Sequence, residues 1–292
     1  VKRTTSFSSA TLMTLKDVLV PAVRELGHWA RDFAERARHG DGSLEVSSKS
    51  SPGDVVTFAD AELQRRLVAL LTPLAPEVGF LGEEGLRELR PDAANWVIDP
   101  IDGTHNFVRG YPGFAVSVGL VEGGRGVLGV IYDAVDDSVL WAVEGEGAYC
   151  DGVRLDRRVS ARALDPANPI EHALISSNFT SASARNPVDQ ALFMEMVQRA
   201  AGARSSGSAC RDLVGLARGR FDLFWQIGLQ PWDVAAGMVI LREAHGAVRF
   251  AGDEESSEAW LSSNGLGVFA GDPALVELVR SRYLELCEVA LH

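Results

Sequence analysis

Residues 96–107 read WVIDPIDGTHNF. An apolar triplet, Trp96, Val97 and Ile98, runs straight into two aspartates, Asp99 and Asp102, placed three apart around Pro100. The triplet reads as the end of a short buried strand. Proline stiffens the turn, so the two carboxylates can converge. The backbone carbonyl of Ile101, between them, is expected to be free as a further oxygen ligand. Gly103 lets the main chain approach a ligand closely. If a helix starts at Thr104, the N–H groups of Gly103 and Thr104 form an anion nest. Cations on one side and amides on the other would hold a phosphate group between them.

Further acids stand at comparable places. Glu83 and Glu84 follow GFLG, Asp60 leads a helix that carries Leu63, Leu67, Leu70 and Leu71, and Asp233 opens the helix PWDVAAG. Strand ends feeding loops are where sites are built on mixed α/β scaffolds. Several carboxylates gathered there repel one another unless cations bind. Carboxylate oxygens without a Cys or His partner select Mg²⁺, Mn²⁺ or Ca²⁺ over zinc. Each acid also has a plainer reading. Asp-Pro and Asp-Gly are ordinary turn formers. Thr57-x-x-Asp60 fits a helix capping box as readily as a functional pair. Asp233 could simply offset a helix dipole, and Glu83 with Glu84 could be a solvated loop. It is their combination that points to a metal site.

Composition sets the frame. The chain has 292 residues, 46% apolar and 23% charged, the make-up of an ordinary globular protein. Its 28 basic and 40 acidic residues give a net charge of −12 with no basic cluster, so non-specific nucleic-acid binding is not expected. An acidic protein repels anionic substrates in bulk, and bound cations would reverse the sign locally. No apolar run is long enough for a membrane span, and no signal peptide is expected in the first twenty residues. Three widely spaced cysteines form no C-x-x-C pair, so a reducing cytoplasm is the expected location. Cys210 reads as a small core residue, and the six histidines have no ligand spacing.

Along the chain, apolar residues at helical spacing predict a helix over 12–38, kinked at Pro21 or starting near it. Residues 40–54 read as a loop and DVVTF as a short strand. FAVSVGLV, GVLGVIYDA and DSVLWAVEG between residues 113 and 149 predict an antiparallel meander. Farther on, HALISS, RFDLFWQIG, AVRF and LGVFAG read as strands. VDQALFMEMVQRA, GSACRDLVGLARG (opened by glycine), PWDVAAGMVILREAHG and residues 273–288 read as helices. Texture changes near residues 150–170. An N-terminal part over 1–160 and a C-terminal part over 161–292 are expected to form one compact unit.

DVVTFAD, GEEG, WVIDPIDGTHNF followed by FAVSVGL, GSA at 207–209 and PWDVAAG occur in one order over about residues 49–250. With them the chain resembles the inositol monophosphatase family, within the Mg²⁺-dependent, lithium-sensitive sugar phosphatases. The resemblance implies a layered α-β-α-β-α fold with two mixed or antiparallel sheets, and hydrolysis of a small sugar or polyol phosphate such as inositol 1-phosphate. It implies two to three Mg²⁺ ions. Glu83, Asp99 and the Ile101 carbonyl would hold one, and Asp99, Asp102 and Asp233 a second. A third would bind weakly near Glu83. Thr104, bonded to Asp60, would orient the attacking water, and the backbone of Gly103 and Thr104 would hold the phosphate. Gly207, Ser208 and Ala209 would touch the alcohol portion, and Lys49 would belong to a loop before the site. A homodimer is also implied.

Three positions depart from the family pattern. Gln226 stands seven residues before Asp233, where a glutamate usually faces the substrate hydroxyls. Arg211 takes a helix position that is usually apolar, and Phe58 one that is often Glu or Ala. They bear on the choice of substrate, which could also be histidinol phosphate, fructose 1,6-bisphosphate or adenosine 3′,5′-bisphosphate. The 177–187 loop, residues 207–211 and Gln226 are expected to decide among these. Haloacid-dehalogenase phosphatases use D-x-D-G-T, whereas here the acids are three apart with proline at 100. Some bacterial relatives also act as partners of the transcription machinery, and such a second role is compatible with this sequence.

Overall fold

The computed structural model describes residues 7–39, 47–48, 55–90, 93–160, 164, 167–181, 183–252 and 258–290. Helix α1 (Ser9–Arg38) is capped by Ser8, whose side chain accepts from the Thr11 N–H. It buries Leu12, Leu15, Leu19, Val23, Ala30 and Ala34 along one stripe. Pro21 lies inside this helix and neither starts nor ends it. Proline there frees the carbonyl of Asp17, and both residues are exposed, so water can take the lost bond.

The pair β1 (Ser47–Ser48) and β2 (Val55–Val56) precedes α2 (Phe58–Leu71). Then come β3 (Gly79–Gly82), β4 (Arg87–Glu88), β5 (Asn95–Asp102), the short α3 (Thr104–Arg109), β6 (Ala115–Glu122), β7 (Arg125–Asp133), β8 (Ser138–Val143), β9 (Gly147–Cys150) and β10 (Val153–Leu155). From β3 onward these strands form an eight-stranded sheet in the order β10-β9-β8-β7-β6-β5-β3-β4. All its neighbours are antiparallel except β3 and β5. The meander predicted over 113–149 is its centre.

The chain continues through α4 (Arg157–Ser160), β11 (Leu174–Ser176), α5 (Pro187–Arg199), β12 (Gly202–Arg204), α6 (Ala209–Ala217), β13 (Leu223–Leu229), α7 (Pro231–Glu243), β14 (Ala247–Phe250), β15 (Leu266–Gly271) and α8 (Pro273–Ala290). A second sheet has the order β12-β11-β13-β15-β14 and mixes parallel and antiparallel pairs. The α6 helix is capped by the Ser208 side chain and not by the glycine before it. At the end of α7 the left-handed residue is His245, with φ 67°, so Gly246 is not the stop.

Three apolar clusters define five layers. One lies between the α1/α2 layer and the outer face of the larger sheet. The second fills the space between the two sheets around α6 and α7. The third lies between the smaller sheet and α5 with α8. This is the α-β-α-β-α order. Close approach of α7 to the larger sheet depends on Gly129, where a Cβ would fall 2.4 Å from the Ala236 carbonyl oxygen. Among the described residues no helix is long and apolar enough to cross a membrane.

Candidate active site

A bulge in β5 builds the centre of the site. Asp99 pairs with Ser117 and Asp102 with Ala115, so three steps on β5 oppose two on β6. In a regular strand, residues three apart point to opposite faces. The extra residue returns Asp102 to the side of Asp99. The apolar neighbours show the same shift: Ile98 and Ile101, also three apart, both pack in the cluster beneath α1 and α2. The two aspartates instead face the middle helix layer. There α7 brings Asp233 in its first turn, and Asp99, Asp102 and Asp233 offer oxygens that all lie within 4.8 Å of one another. Asp233 also caps its helix, its Oδ2 accepting from the Gln230 N–H at 2.7 Å. Capping the helix and facing the other two carboxylates are therefore compatible roles for this side chain.

Each acid is held in place. Asp102 Oδ2 accepts from the Ser208 hydroxyl and from the Cys210 N–H, both at 2.6 Å. The Glu83 N–H donates to the Ile98 carbonyl at 3.3 Å, which fixes the turn after β3 beside β5. Gln64 of α2 clamps the same turn: it donates to the Glu84 carbonyl at 3.1 Å and accepts from the Glu84 N–H at 3.0 Å. Glu83 adjoins Asp99 but stands outside the group of three.

The electrostatics of this cluster are unfavourable as it stands. Asp99 is 1% exposed. Burial, followed by the charges of Glu83, Asp102 and Asp233, drives its carboxyl well above the ordinary range. Burial also raises Asp102, against the pull of its bonds from Ser208 and Cys210. Asp99 Oδ1 is buried without any hydrogen-bond partner. A buried, orphaned carboxylate oxygen among other carboxylates is costly. A hard cation would satisfy it, so this donor set fits a divalent ion with a preference for oxygen.

Asp60 divides its two oxygens. Oδ2 accepts from the Thr57 N–H at 2.8 Å and the Thr57 hydroxyl at 2.5 Å, which completes a capping box. Oδ1 lies 3.4 Å from the Thr104 hydroxyl. That hydroxyl is closer, at 3.0 Å, to the Ile101 carbonyl. The Ile101 carbonyl is thus not free as expected; one lone pair takes the Thr104 proton, and the second remains for another partner. Burial pushes the Asp60 carboxyl up to about 7; the two Thr57 bonds oppose this, and the charges of Glu84 and Glu83 add to it.

Helix α3 does start at Thr104, with Gly103 as its cap at φ 94°. A Cβ on Gly103 would meet the carbonyl oxygen of Gly113 at 3.0 Å and that of Gly207 at 3.3 Å. Asn106 ties this turn to the 206–208 loop, donating to the Gly113 carbonyl at 2.7 Å and to the Ser206 carbonyl at 2.8 Å.

The family model for the inositol monophosphatase family matches residues 14–282. The chain belongs to this family. The chain is a phosphoric monoester hydrolase. It is 34% identical over 259 residues to an inositol-1-monophosphatase of Bacillus subtilis, covering 88% of this chain and 94% of the relative. It is 30% identical to a fructose-1,6-bisphosphatase/inositol-1-monophosphatase of Aquifex aeolicus, covering 82% and 85%. Its fold superposes on the extragenic suppressor protein suhB of Bartonella henselae with a TM-score of 0.78, at 28% identity, covering 92% and 98%.

On this inositol monophosphatase scaffold, Glu83, Asp99, Ile101, Asp102, Asp233, Thr104 and Asp60 come together as one constellation. Ser208 joins it through Asp102, so its hydroxyl is committed to an acid. Cys210 is fully buried, its thiol pushed up chiefly by burial, and it donates to the Asp233 carbonyl as a core residue. Arg211 does not point into the acid cluster: its Nε pairs with buried Asp133 at 3.0 Å. Phe58 is 49% exposed and leans on Phe33. Lys49 lies outside the described residues. Sequence reasoning passed over Gln64, Asn106 and Asp212, and reached Asn178 only as part of the 177–187 loop. Asn106 lies within the quoted motif and could have been flagged as a polar residue beside it; the other three carry no local signal.

Proposed function

We propose that this enzyme hydrolyses a small sugar or polyol phosphate, inositol 1-phosphate or a close analogue, with two to three Mg²⁺ ions. The observation that carries this reading is the orphaned oxygen of Asp99 within a three-carboxylate group, beside the Thr104–Asp60 pair. Glu83, Asp99, the second lone pair of the Ile101 carbonyl, Asp102 and Asp233 would hold the ions. When bound, Mg²⁺ supplies charge neutralisation and a more acidic water near neutral pH. The rest is the work of the chain. Turned from the Ile101 carbonyl to Asp60, the single proton of Thr104 leaves its oxygen free to accept a hydrogen bond from the attacking water and aim it at phosphorus. The N–H groups of Gly103 and Thr104 hold the phosphate oxygens. The 207–209 backbone and Gln226 border the leaving alcohol. Catalysis on this plan is positioning plus charge stabilisation, as phosphoryl transfer requires. Lithium inhibition and a homodimer belong to the same proposal.

The test is phosphate release from a panel of phosphomonoesters. Release is expected with Mg²⁺, more weakly with Mn²⁺, and not after EDTA treatment. Asp99→Asn is expected to lower the rate at least ~10³-fold, the scale of losing a major electrostatic stabiliser. Full turnover in excess EDTA, or near-normal turnover of a folded Asp99→Asn protein, would sink the reading.

A further inference from the structure

Asn178 follows β11 and is 8% exposed, and its amide is fully engaged. One end accepts from the Gly207 N–H at 2.8 Å and from the Ser205 hydroxyl at 3.1 Å. The other end faces Asp212 Oδ2 at 2.9 Å and the Gln226 amide at 3.2 Å. Asp212 is itself fully buried and accepts from the Ser176 hydroxyl at 2.8 Å.

This network leaves no choice of orientation. A backbone N–H is a donor at every pH, so the end of Asn178 that meets Gly207 is its oxygen. The other end is therefore the NH₂ group, in keeping with the Asp212 carboxylate it meets. An NH₂ group facing Gln226 demands an acceptor there, which is the Gln226 oxygen. The Gln226 NH₂ group is then the end turned away from the network. Gln226 is half-buried, and among the described residues its Nε2 has no acceptor. Its strand, β13, leads directly into the helix that carries Asp233. The Gly207 loop held by the same Asn178 carries Ser208, which bonds Asp102.

We infer that Asn178 is a positioning residue for substrate choice: it fixes Gln226 with a hydrogen-bond donor turned to the alcohol end of the site, favouring esters with a second anionic acceptor over hydroxyl-only polyols. This rests on the phosphatase reading and on the place it gives the leaving alcohol. Hydrogen bonds to a charged acceptor are roughly twice as strong as neutral ones. That difference corresponds to about a tenfold preference.

A charge-conserving exchange reverses the relay. In the double variant Asn178→Asp with Asp212→Asn, the new carboxylate at 178 still accepts from Gly207. The new amide at 212 donates to it and accepts from Ser176. Gln226 must then turn its NH₂ group inward and present its oxygen. Two readings are taken on the full-length protein with Mg²⁺. The first is hydrogen exchange of the Gln226 side-chain amide by NMR, assigned with Gln226→Glu. Exchange is expected to be fast in the wild type and protected in the exchange variant. The second is the ratio of kcat/KM for fructose 1,6-bisphosphate to that for inositol 1-phosphate. It is expected to fall about tenfold in the exchange variant, mostly through KM for the bisphosphate. Gln226→Met, which lacks the donor, is expected to lower the same ratio and covers the case in which the double variant fails to fold. A protected Gln226 amide in the wild type overturns the inference, as does an unchanged ratio in either folded variant. Release of phosphate from neither ester by the wild type removes the phosphatase reading, and with it the selectivity; the amide exchange still decides the orientation.

Discussion

Thr57 and Thr104 bond to opposite oxygens of Asp60, and the two contacts differ in kind. Thr57 is tied to the carboxylate by both its N–H and its hydroxyl, at the start of α2. Thr104 reaches it at 3.4 Å from the turn that carries the anion nest. Replacing Thr57 by alanine removes a cap and is expected to cost ~1 kcal/mol of stability. Its effect on turnover should be small, because the Thr57 N–H still holds Asp60. Thr104→Ala is expected to do the reverse. Orienting water matters in the transition state and little in substrate binding, so kcat should fall far more than KM rises. Urea denaturation and steady-state kinetics on both variants check this. If Thr104→Ala changed stability and left kcat alone, the water would have to be aimed by another residue.

At the scale of elements, α2 matters to the site through Gln64. Its amide satisfies both the N–H and the carbonyl of Glu84, which holds the turn that presents Glu83. Gln64→Met keeps the volume and leaves two backbone groups unpaired, an expected loss of roughly 1–3 kcal/mol. The Mg²⁺ concentration for half-maximal activity should rise as Glu83 loses its setting; an unchanged value would show that the turn holds itself. Such clamps explain what the sequence could and could not reveal. Asp99, Asp102 and Asp233 were legible because chemistry and spacing are local: two acids around a proline, and one in a proline-led helix turn. The kind of each major element followed from apolar periodicity. The faces were less legible, because alternation alone sends Asp99 and Asp102 apart, and only the pairing with β6 shows the extra residue. Gln64, Asn178 and Asp212 gave no signal of their own because most of their side-chain partners lie 20 to 48 residues away. A lone polar residue shows what it could bond to and not what the fold will bring it. Whether α1 passes through Pro21 or starts near it was left open for a related reason, since solvent access to the Asp17 carbonyl depends on which face is exposed.

Across the whole molecule, stability is coupled to pH through Asp212. Burial between the layers pushes its carboxyl up to about 7, against the bonds from Ser176, Ser206 and Asn178. In the unfolded chain an aspartate titrates near ~3.9. Between those values the folded protein holds a proton that the unfolded chain has lost. Stability therefore falls as pH rises through this window, by about 1.4 kcal/mol per pH unit at most from this group. The penalty is absent below the unfolded value and complete above about 7. Asp212→Asn should make the slope of unfolding free energy shallower by one proton over that window. The mismatch of its new NH₂ group with that of Asn178 adds a cost that does not vary with pH. Urea titrations in EDTA from pH 4.5 to 7.5 measure the slope, and equal slopes would mean that Asp212 ionises at its ordinary pH. The contact of Asp102 with Ser208 and Cys210 has a consequence of another sort. Asp102 belongs to the larger sheet, while its partners belong to the layer that joins the smaller one. A load pulling the sheets apart would pass in part through this buried contact, alongside the Arg211–Asp133 pair and the apolar packing between the layers. A divalent ion shared by Asp99, Asp102 and Asp233 would brace it, and so would add to the force needed to part the two halves of the molecule.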